Sequence, residues 1–166
     1  KLFDFVYHGT KSYDSSIALL KNNAQTERRK KLLAEKSNLP PIDGKITTMD
    51  GKPVNLSDLK GKIVILDFWA TWCGPCRASF PAMQKLYEKF KDNPQIVFAI
   101  VDVWERVPDR KKAVSDFLAK NTSYTFPVYL DETDVVVKSF GVTGIPSKFF
   151  IGKSGAIQFK EVGCYA

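Results

Sequence analysis

The sequence has no long hydrophobic run and very little histidine or cysteine. None of its 166 residues belongs to a stretch that approaches the roughly 18 apolar residues of a membrane-spanning helix, and the start of the chain does not read as a secretory leader. Because the chain begins at Lys1 rather than Met, we expect a processed or shortened protein, and a leader or membrane anchor could lie outside these residues.

Cysteine occurs at three positions only, which excludes the disulfide framework of a small secreted scaffold. Cys73 and Cys76 are separated by two residues, whereas Cys164 stands alone near the end of the chain. Hydrophobic residues make up 44% of the chain, so a packed core can form without covalent staples. The cysteines therefore indicate one local redox pair and one spare thiol.

Positive charge is concentrated towards the start of the chain. Of the formal net charge of +7, residues 1–40 contribute +4, from eight Lys and Arg against four Asp and Glu. A basic segment can attract anionic membranes or acidic partners. We favour the simpler interpretation of a solvated helix face, and we expect no nucleic-acid partner.

Residues 14–36 are predicted to form a helix, because capping residues precede a segment that no Gly or Pro interrupts. Pro40-Pro41 would end this helix and mark a domain boundary. We therefore divide the chain into a helical appendage, residues 1–40, and a domain, residues 41–166.

Beyond that boundary, strand patterns alternate with helix patterns. The run from Ile63 to Ala70 is almost entirely apolar, as in a strand buried on both faces of a sheet, and a helical pattern follows the cysteines up to Phe90. The other predicted elements are a hairpin over 46–56, strands over 96–101 and 126–130, a helix over 109–120, a helical turn over 135–140, and a closing hairpin of 148–151 with 156–160. This order predicts an α/β sandwich built on a mixed sheet.

Two cysteines with two residues between them can form and break a disulfide with little movement of the backbone. Cys73 and Cys76 fall where a buried strand ends and a helix begins, and the free N–H groups and the dipole at that helix end stabilise a thiolate. The pKa of the Cys73 thiol should therefore be low. We predict that Cys73 attacks a client disulfide and that Cys76, one turn inside the helix, resolves the mixed disulfide.

The same pair of cysteines has two other interpretations. Cys-x-x-Cys is also half of a zinc site, but a structural zinc ion needs four ligands, and only Cys164 and His8 remain as soft ligands. Two inert, buried cysteines are the second alternative. We disfavour both, and we expect no metal and no cofactor beyond a redox-active Cys73–Cys76 disulfide.

The Trp-Cys-Gly-Pro-Cys segment at 72–76 resembles the active-site sequence of thioredoxins. Asp67-Phe68-Trp69-Ala70 precedes it as in thioredoxin, Ile145-Pro146 is similar to the family's cis-proline pair, and segment 49–62 is similar to the opening of the ResA/TlpA group of extracytoplasmic thioredoxins. Over residues 42–162 the resemblance implies a thioredoxin-like α/β/α sandwich with a mixed central sheet, an N-terminal hairpin and a preceding helical segment. We expect the last helix of that fold to be missing from this chain.

Asp67 is a carboxylate inside an apolar strand, which is costly unless the group is paired or protonated, and burial would raise its pKa. The resemblance implies that Asp67 accepts the proton of the Cys76 thiol through a water molecule. A structural, hydrogen-bonded Asp is the alternative. ResA-like proteins often carry Glu three residues after the second cysteine, where this chain has Ser79, so any acid–base role depends on Asp67.

Pro146 is expected opposite the disulfide, in a cis peptide bond that the resemblance implies and the dipeptide alone does not. Ile145 would then pair with the main chain of a client, and Pro146 would keep metals off the dithiol. Trp104 and Glu105 follow a strand end and could border the site. By the same resemblance, the client-docking surface comprises Trp72, Gly74, Pro75, Gly144 and Ile145.

These patterns predict a thiol–disulfide oxidoreductase that reduces client proteins in the bacterial periplasm or on the outer face of a membrane. Gly74-Pro75 resembles the spacer of reducing thioredoxins, and we expect a monomer that receives electrons from an upstream thiol donor. A peroxiredoxin-like peroxidase is an alternative with the same fold, but no Thr-x-x-Cys motif precedes the helix. A non-catalytic binding module that uses residues 1–40 is the other alternative.

Overall fold

The computed structural model divides into two units, Lys1–Lys36 and Ser37–Ala166. It describes residues 22, 23, 26, 27, 30 and 39–163. The described residues of the first unit are helical. The rest of the helix predicted over 14–36 lies outside the described residues, as do His8 and Cys164.

The described part of the second unit is built on one seven-stranded sheet with helices on both faces. Its strands are β1 (Lys45–Thr48), β2 (Pro53–Asn55), β3 (Ile63–Trp69), β4 (Ile96–Asp102), β5 (Val128–Leu130), β6 (Ser147–Ile151) and β7 (Ile157–Val162). Its helices are α1 (Gly74–Phe90), α2 (Arg110–Lys120) and α3 (Val135–Ser139), with a 3₁₀ turn at Leu56–Leu59. The strand order is β2-β1-β5-β4-β3-β6-β7. The β3–β4 and β4–β5 pairs are parallel and the others antiparallel, so the predicted α/β sandwich with a mixed sheet is confirmed.

The central strand β3 alternates its side chains between two hydrophobic cores, because successive residues of a strand point to opposite faces. Leu66 and Phe68 pack in the core that α3 covers. Ile65 and Trp69 pack in the core that α1 and α2 cover. Asp67 lies between the latter two along the strand and therefore points towards α1, the helix that begins beside the cysteines.

A group of aromatic rings fixes α1 on the sheet. Phe80 of α1 is in edge-to-face contact with Trp69 of β3 at 4.9 Å between ring centroids, and with Phe126 at 5.1 Å. Phe117 of α2 contacts Trp69 at 5.2 Å. Aromatic pairs of this geometry contribute about 0.5–1.5 kcal/mol each beyond the area that they bury. The start of α1 is thus held in one position relative to the carboxyl end of β3.

Most boundaries agree with the prediction to within one residue, and three differences have structural content. β5 begins at Val128 rather than Phe126, because Pro127 has no N–H for the ladder and the Phe126 ring packs in the core instead. The 3₁₀ turn begins at Leu56, where the prediction continued the first hairpin. The last strand runs on to Val162, which pairs with the first residue of β6.

Candidate active site

Cys73 and Cys76 form a disulfide at the start of α1. Cys73 is the N-cap of the helix, and its Sγ accepts a hydrogen bond from the backbone N–H of Cys76 at 3.2 Å. Gly74 and Pro75 begin the helix, where the fixed φ of proline and its missing N–H carry no penalty, and a Cβ added at Gly74 would meet no atom within 4 Å. The sulfur predicted to attack is thus the one that receives an N–H at the positive end of the helix dipole.

The two sulfurs differ in accessibility. Cys73 is 3% exposed, whereas Cys76 is fully buried, and both pack in the core under α1. Thiol–disulfide exchange requires one sulfur to reach the other. Cys73 is therefore the cysteine nearer to the surface, and Cys76 has no exposed surface.

The loop before β6 lies against the disulfide. The peptide bond between Ile145 and Pro146 is cis, and the carbonyl oxygen of Ile145 lies 3.7 Å from Cys73 Sγ. Ser147 Oγ donates a hydrogen bond to the carbonyl oxygen of Gly144 at 2.7 Å, which holds this loop in place. A Cβ added at Gly144 would meet no atom within 4 Å, so the surface in front of this glycine is open to a client chain.

Trp72 forms the exposed side of the site, with 40% of its surface accessible. Its Nε1 donates a hydrogen bond to the carbonyl oxygen of Trp104 at 2.9 Å, and the guanidinium of Arg106 lies 4.0 Å from the centre of its ring. The carboxylate of Glu105 accepts hydrogen bonds from the N–H of Thr71 at 2.6 Å and from its hydroxyl at 3.0 Å. The loop after β4 therefore borders the site and supports the turn that carries Trp72.

Asp67 lies on the interior side of the site and is fully buried. Nζ of Lys148, its partner in the register of β3 with β6, lies 3.1 Å from Oδ1 and 3.0 Å from Oδ2. Burial raises the pKa of Asp67 to about 6, against the opposing effect of the Lys148 ammonium and with a further upward contribution from Glu161. Near neutral pH this carboxyl is therefore mainly ionised and able to accept a proton.

Lys148 also connects Asp67 to α1. Its Nζ donates a hydrogen bond to Ser79 Oγ at 3.3 Å, and Ser79 Oγ donates to the carbonyl oxygen of Cys76 at 2.8 Å. A chain of polar contacts thus runs from the buried carboxylate, through the ammonium, to the first turn of the helix that carries the resolving cysteine.

A second buried carboxyl lies at the end of β4. Asp102 is fully buried, and Nε of Arg110 lies 3.7 Å from its Oδ1, beyond hydrogen-bond distance. Arg110 donates hydrogen bonds instead to Asp134, at 2.9 Å, and to the carbonyl oxygen of Asp131. Burial and the neighbouring carboxylate of Glu105 raise the pKa of Asp102 to about 9, so this carboxyl is protonated near neutral pH.

Four residues of this region were not singled out from the sequence. Lys148 opens a predicted strand and Asp102 follows the predicted end of another, so each is a charged residue beside an apolar run, a weaker signal than that of Asp67. Thr71 and Arg106 lie in loops and carry no comparable signal. Across residues 39–163 and the five described before them, no group of three or more His, Cys, Asp or Glu side chains is placed to hold a metal ion.

Comparison with known families gives a direct assignment. Residues 37–160 match the model of the AhpC/TSA family. The chain belongs to this family. Among curated relatives, the thiol-disulfide oxidoreductase ResA of Bacillus cereus strain ZK / E33L is 35% identical over 118 residues, which make up 71% of this chain and 65% of that protein. The chain thus spans less than two thirds of the length of this relative.

Two solved structures show that the fold is thioredoxin-like. A thiol:disulfide interchange protein of the thioredoxin family from Chlorobium tepidum TLS aligns with a TM-score of 0.64 and 29% identity, over 78% of this chain and 89% of the other. The pneumococcal exposed lipoprotein thioredoxin from Streptococcus pneumoniae strain TIGR4 aligns with a TM-score of 0.60 and 29% identity, over 75% of this chain and 92% of the other.

Proposed function

We propose that this protein is a thiol–disulfide oxidoreductase that reduces disulfides of client proteins. One observation carries the proposal: a disulfide lies at the N-terminus of α1, with Cys73 as the N-cap at the edge of the surface and Cys76 fully buried. A purely structural disulfide needs no such division between its sulfurs, and a binding module needs no cysteine pair at a helix N-terminus. The name of the ResA relative, a thiol-disulfide oxidoreductase, supports the same activity.

The reaction proceeds in two exchanges. The thiolate of Cys73 attacks a client disulfide, so that a Cys73–client bond forms and the other client sulfur leaves as a thiolate. The thiolate of Cys76 then attacks Cys73 Sγ, which forms the Cys73–Cys76 bond and releases the second client sulfur. Two electrons pass to the client, and the two protons given up by the enzyme thiols end on the client thiols. An upstream thiol donor reduces the enzyme again.

Each part of the site has a role in this scheme. The N–H of Cys76, 3.2 Å from Cys73 Sγ, stabilises the attacking thiolate. The open surface at Gly144, next to Ile145 and Trp72, receives the client chain. Asp67 takes the proton of the Cys76 thiol, which is the step on which resolution depends.

We propose further that the protein works outside the cytoplasm as a monomer. The exposed lipoprotein among the similar structures supports this location. No helix within residues 39–163, or among the five described residues before them, is long and apolar enough to cross a membrane. Fractionation of the native host, with detection of the protein and of a cytoplasmic marker, tests the location.

The test of the activity is the reduction of insulin disulfides by the purified chain with dithiothreitol as donor. We expect Cys73→Ser to abolish the reaction. Cys76→Ser should accumulate a covalent client adduct that excess dithiothreitol releases, and Cys164→Ser is the matched cysteine control, with wild-type turnover expected. Wild-type rates in both active-site variants would contradict the proposal.

The direction of electron flow has a separate test, equilibration of the cysteine pair with glutathione. A potential in the range of strong oxidants, together with failure to reduce insulin, would show an oxidase instead. Turnover of hydrogen peroxide without any dithiol substrate would favour the peroxidase alternative. The Gly74-Pro75 spacer leads us to expect the reducing direction.

A further inference from the structure

A lysine lies beneath the disulfide, between the buried acid and the helix. The side chain of Lys148 is only 13% exposed, and its Nζ is within 3.0–3.1 Å of both oxygens of Asp67. Lysine is almost never buried unless it is paired. Its Nζ also donates a hydrogen bond to Ser79 Oγ at 3.3 Å, so the ammonium is held by specific partners.

We propose that Lys148 is a positioning residue for the resolving step: its ammonium keeps Asp67 ionised and directed at the first turn of α1, so that the carboxylate can take the proton of the Cys76 thiol. This inference rests on the proposed function. Lys148 of β6 would thus assist the resolving step, because the Cys-x-x-Cys segment contains no group that accepts the proton of Cys76.

The electrostatic argument starts from burial. A carboxyl group without contact with water is favoured in its protonated form, and a protonated Asp67 has no capacity to accept another proton. The ammonium of Lys148 opposes this effect at a distance of about 3 Å. When the proton moves from Cys76 Sγ to Asp67, the negative charge moves to the sulfur, and Lys148 stays protonated throughout.

Ser79 fixes the position of the ammonium relative to the helix. Its hydroxyl donates to the carbonyl oxygen of Cys76 and accepts from Lys148 Nζ. The lysine is therefore tied at once to the base and to the residue that loses its proton. A cation placed elsewhere on the surface would make neither contact.

Two charged side chains act on Asp67, and they act in opposite senses. Lys148 of β6 lowers its pKa, whereas Glu161 of β7, the residue paired with Lys148 in the sheet, raises it. On the other side, Asp67 pairs in register with Ile100 of β4, which has no charge. From α1, Ser79 has no charge and contacts Lys148, and Cys76, which titrates in the reduced protein, packs in the core on the same face of the sheet.

The resolving step can be measured by itself in reduced Cys164→Ser protein. One 5,5′-dithiobis(2-nitrobenzoate) molecule releases a first coloured thiolate when Cys73 attacks and a second when Cys76 resolves. In Lys148→Met we expect the pKa of Asp67 to rise by about two units. The second release should then slow about tenfold at pH 7 and recover near pH 9, with the first release unchanged.

Three further variants and one spectroscopic measurement keep the test decisive. Lys148→Arg should retain the wild-type pH profile, and Lys148→Gln should reproduce that of Lys148→Met if the latter does not fold. Lys160→Met, which removes the same charge from β7, should have no effect. The ¹³C carboxyl titration of Asp67 should move upwards in Lys148→Met and Lys148→Gln only.

An unchanged second release in both uncharged variants, or an equal slowing of both releases at every pH, would overturn the inference. In an Asp67→Asn background, Lys148→Met should cause no further change in the pH profile, because the lysine acts through the carboxylate. Failure of the wild-type protein to reduce insulin would count against the proposed function instead, since the two releases can be measured without any protein client.

Discussion

Asp67 and Asp102 are two carboxyl groups on neighbouring parallel strands, on the face of the sheet that α1 and α2 cover, and both are fully buried. Asp67 has an ammonium at 3.0 Å, whereas Asp102 has a guanidinium at 3.7 Å whose hydrogen bonds go to other groups. The pKa rises to about 6 in the first case and to about 9 in the second. Equal burial therefore yields one proton acceptor and one neutral acid.

The difference shows that the charged neighbours of a buried carboxyl group, and not its burial alone, decide whether it is ionised near neutral pH. Asp102 also faces the carboxylate of Glu105, and two such groups can share a hydrogen bond only when one of them is protonated. Glu105 in turn binds the turn at Thr71. Asp102 and Glu105 thus stabilise the loop after β4. Asp67, by contrast, is available to accept a proton.

The largest expected difference between Asp67 and Asp102 is in the effect of replacing each by Asn on turnover. We expect Asp67→Asn to lower insulin-reduction turnover about 100-fold at pH 7, because the resolving step loses its proton acceptor. Asp102→Asn should remain within about twofold of wild type, since an amide replaces a carboxyl that is already neutral. Similar losses in both variants would show that the two regions do not differ in this way.

The next largest effect should come from Arg110. Arg110→Met removes the buried guanidinium that donates to Asp134 and to the carbonyl of Asp131 and leaves each with one backbone N–H donor, and we expect the free energy of unfolding to fall by about 2 kcal/mol. Asp102 should stay protonated at pH 7 and its pKa should rise further, because Arg110 opposes the effect of burial, whereas Asp67 should change from mainly ionised to mainly protonated at pH 7 in Lys148→Met. Urea unfolding and a ¹³C titration measure the two quantities. Lys112→Met, which breaks an exposed pair with Asp116, is the control, with no measurable loss of stability expected.

The pH dependence of stability should differ between the two acids. A carboxyl whose pKa is raised by folding binds a proton more tightly in the folded state, so stability is highest at low pH and falls as pH rises. For Asp67 this fall is complete near pH 6, and for Asp102 it continues to about pH 9. Between pH 6 and pH 7, Asp102→Asn should therefore gain about 1.4 kcal/mol relative to wild type. Parallel stability curves for the two proteins would contradict this.

The smallest effect should follow from Glu161→Gln. Glu161 is exposed and raises the pKa of Asp67 from a distance, so its removal should lower that pKa by about 0.3 units at low salt and by less at high salt. The pKa of Asp102 should stay the same. A downward shift of Asp102 of similar size would mean that the two regions are electrostatically linked.

The sequence was sufficient for the local part of the site. Cys73 and Cys76 are one helical turn apart, and the strand before them and the helix after them can be recognised from their apolar patterns, so their relation follows from a short segment. The fold class could be predicted for the same reason. The boundary of β5 was missed because the effect of Pro127 on the ladder competes with an otherwise apolar run.

The long-range part of the site could not be derived in this way. Lys148 lies 81 residues from Asp67. The residues of β3 and β6 do not indicate that the two strands are antiparallel neighbours, or that their register pairs Asp67 with Lys148. Arg110 likewise begins a helix far from the carbonyl of Asp131 that it binds. The charged residue in each strand could be noticed from the sequence, but which residue neutralises it depends on strand order.

The recessed position of Cys73 has a consequence for the choice of clients. A sulfur that lies below its own protein's surface cannot reach a disulfide that is level with the surface of a rigid folded partner. Only a disulfide on a protruding or extended segment can enter. Under the proposed function, the protein would therefore select its clients by shape and would not need to recognise any particular sequence.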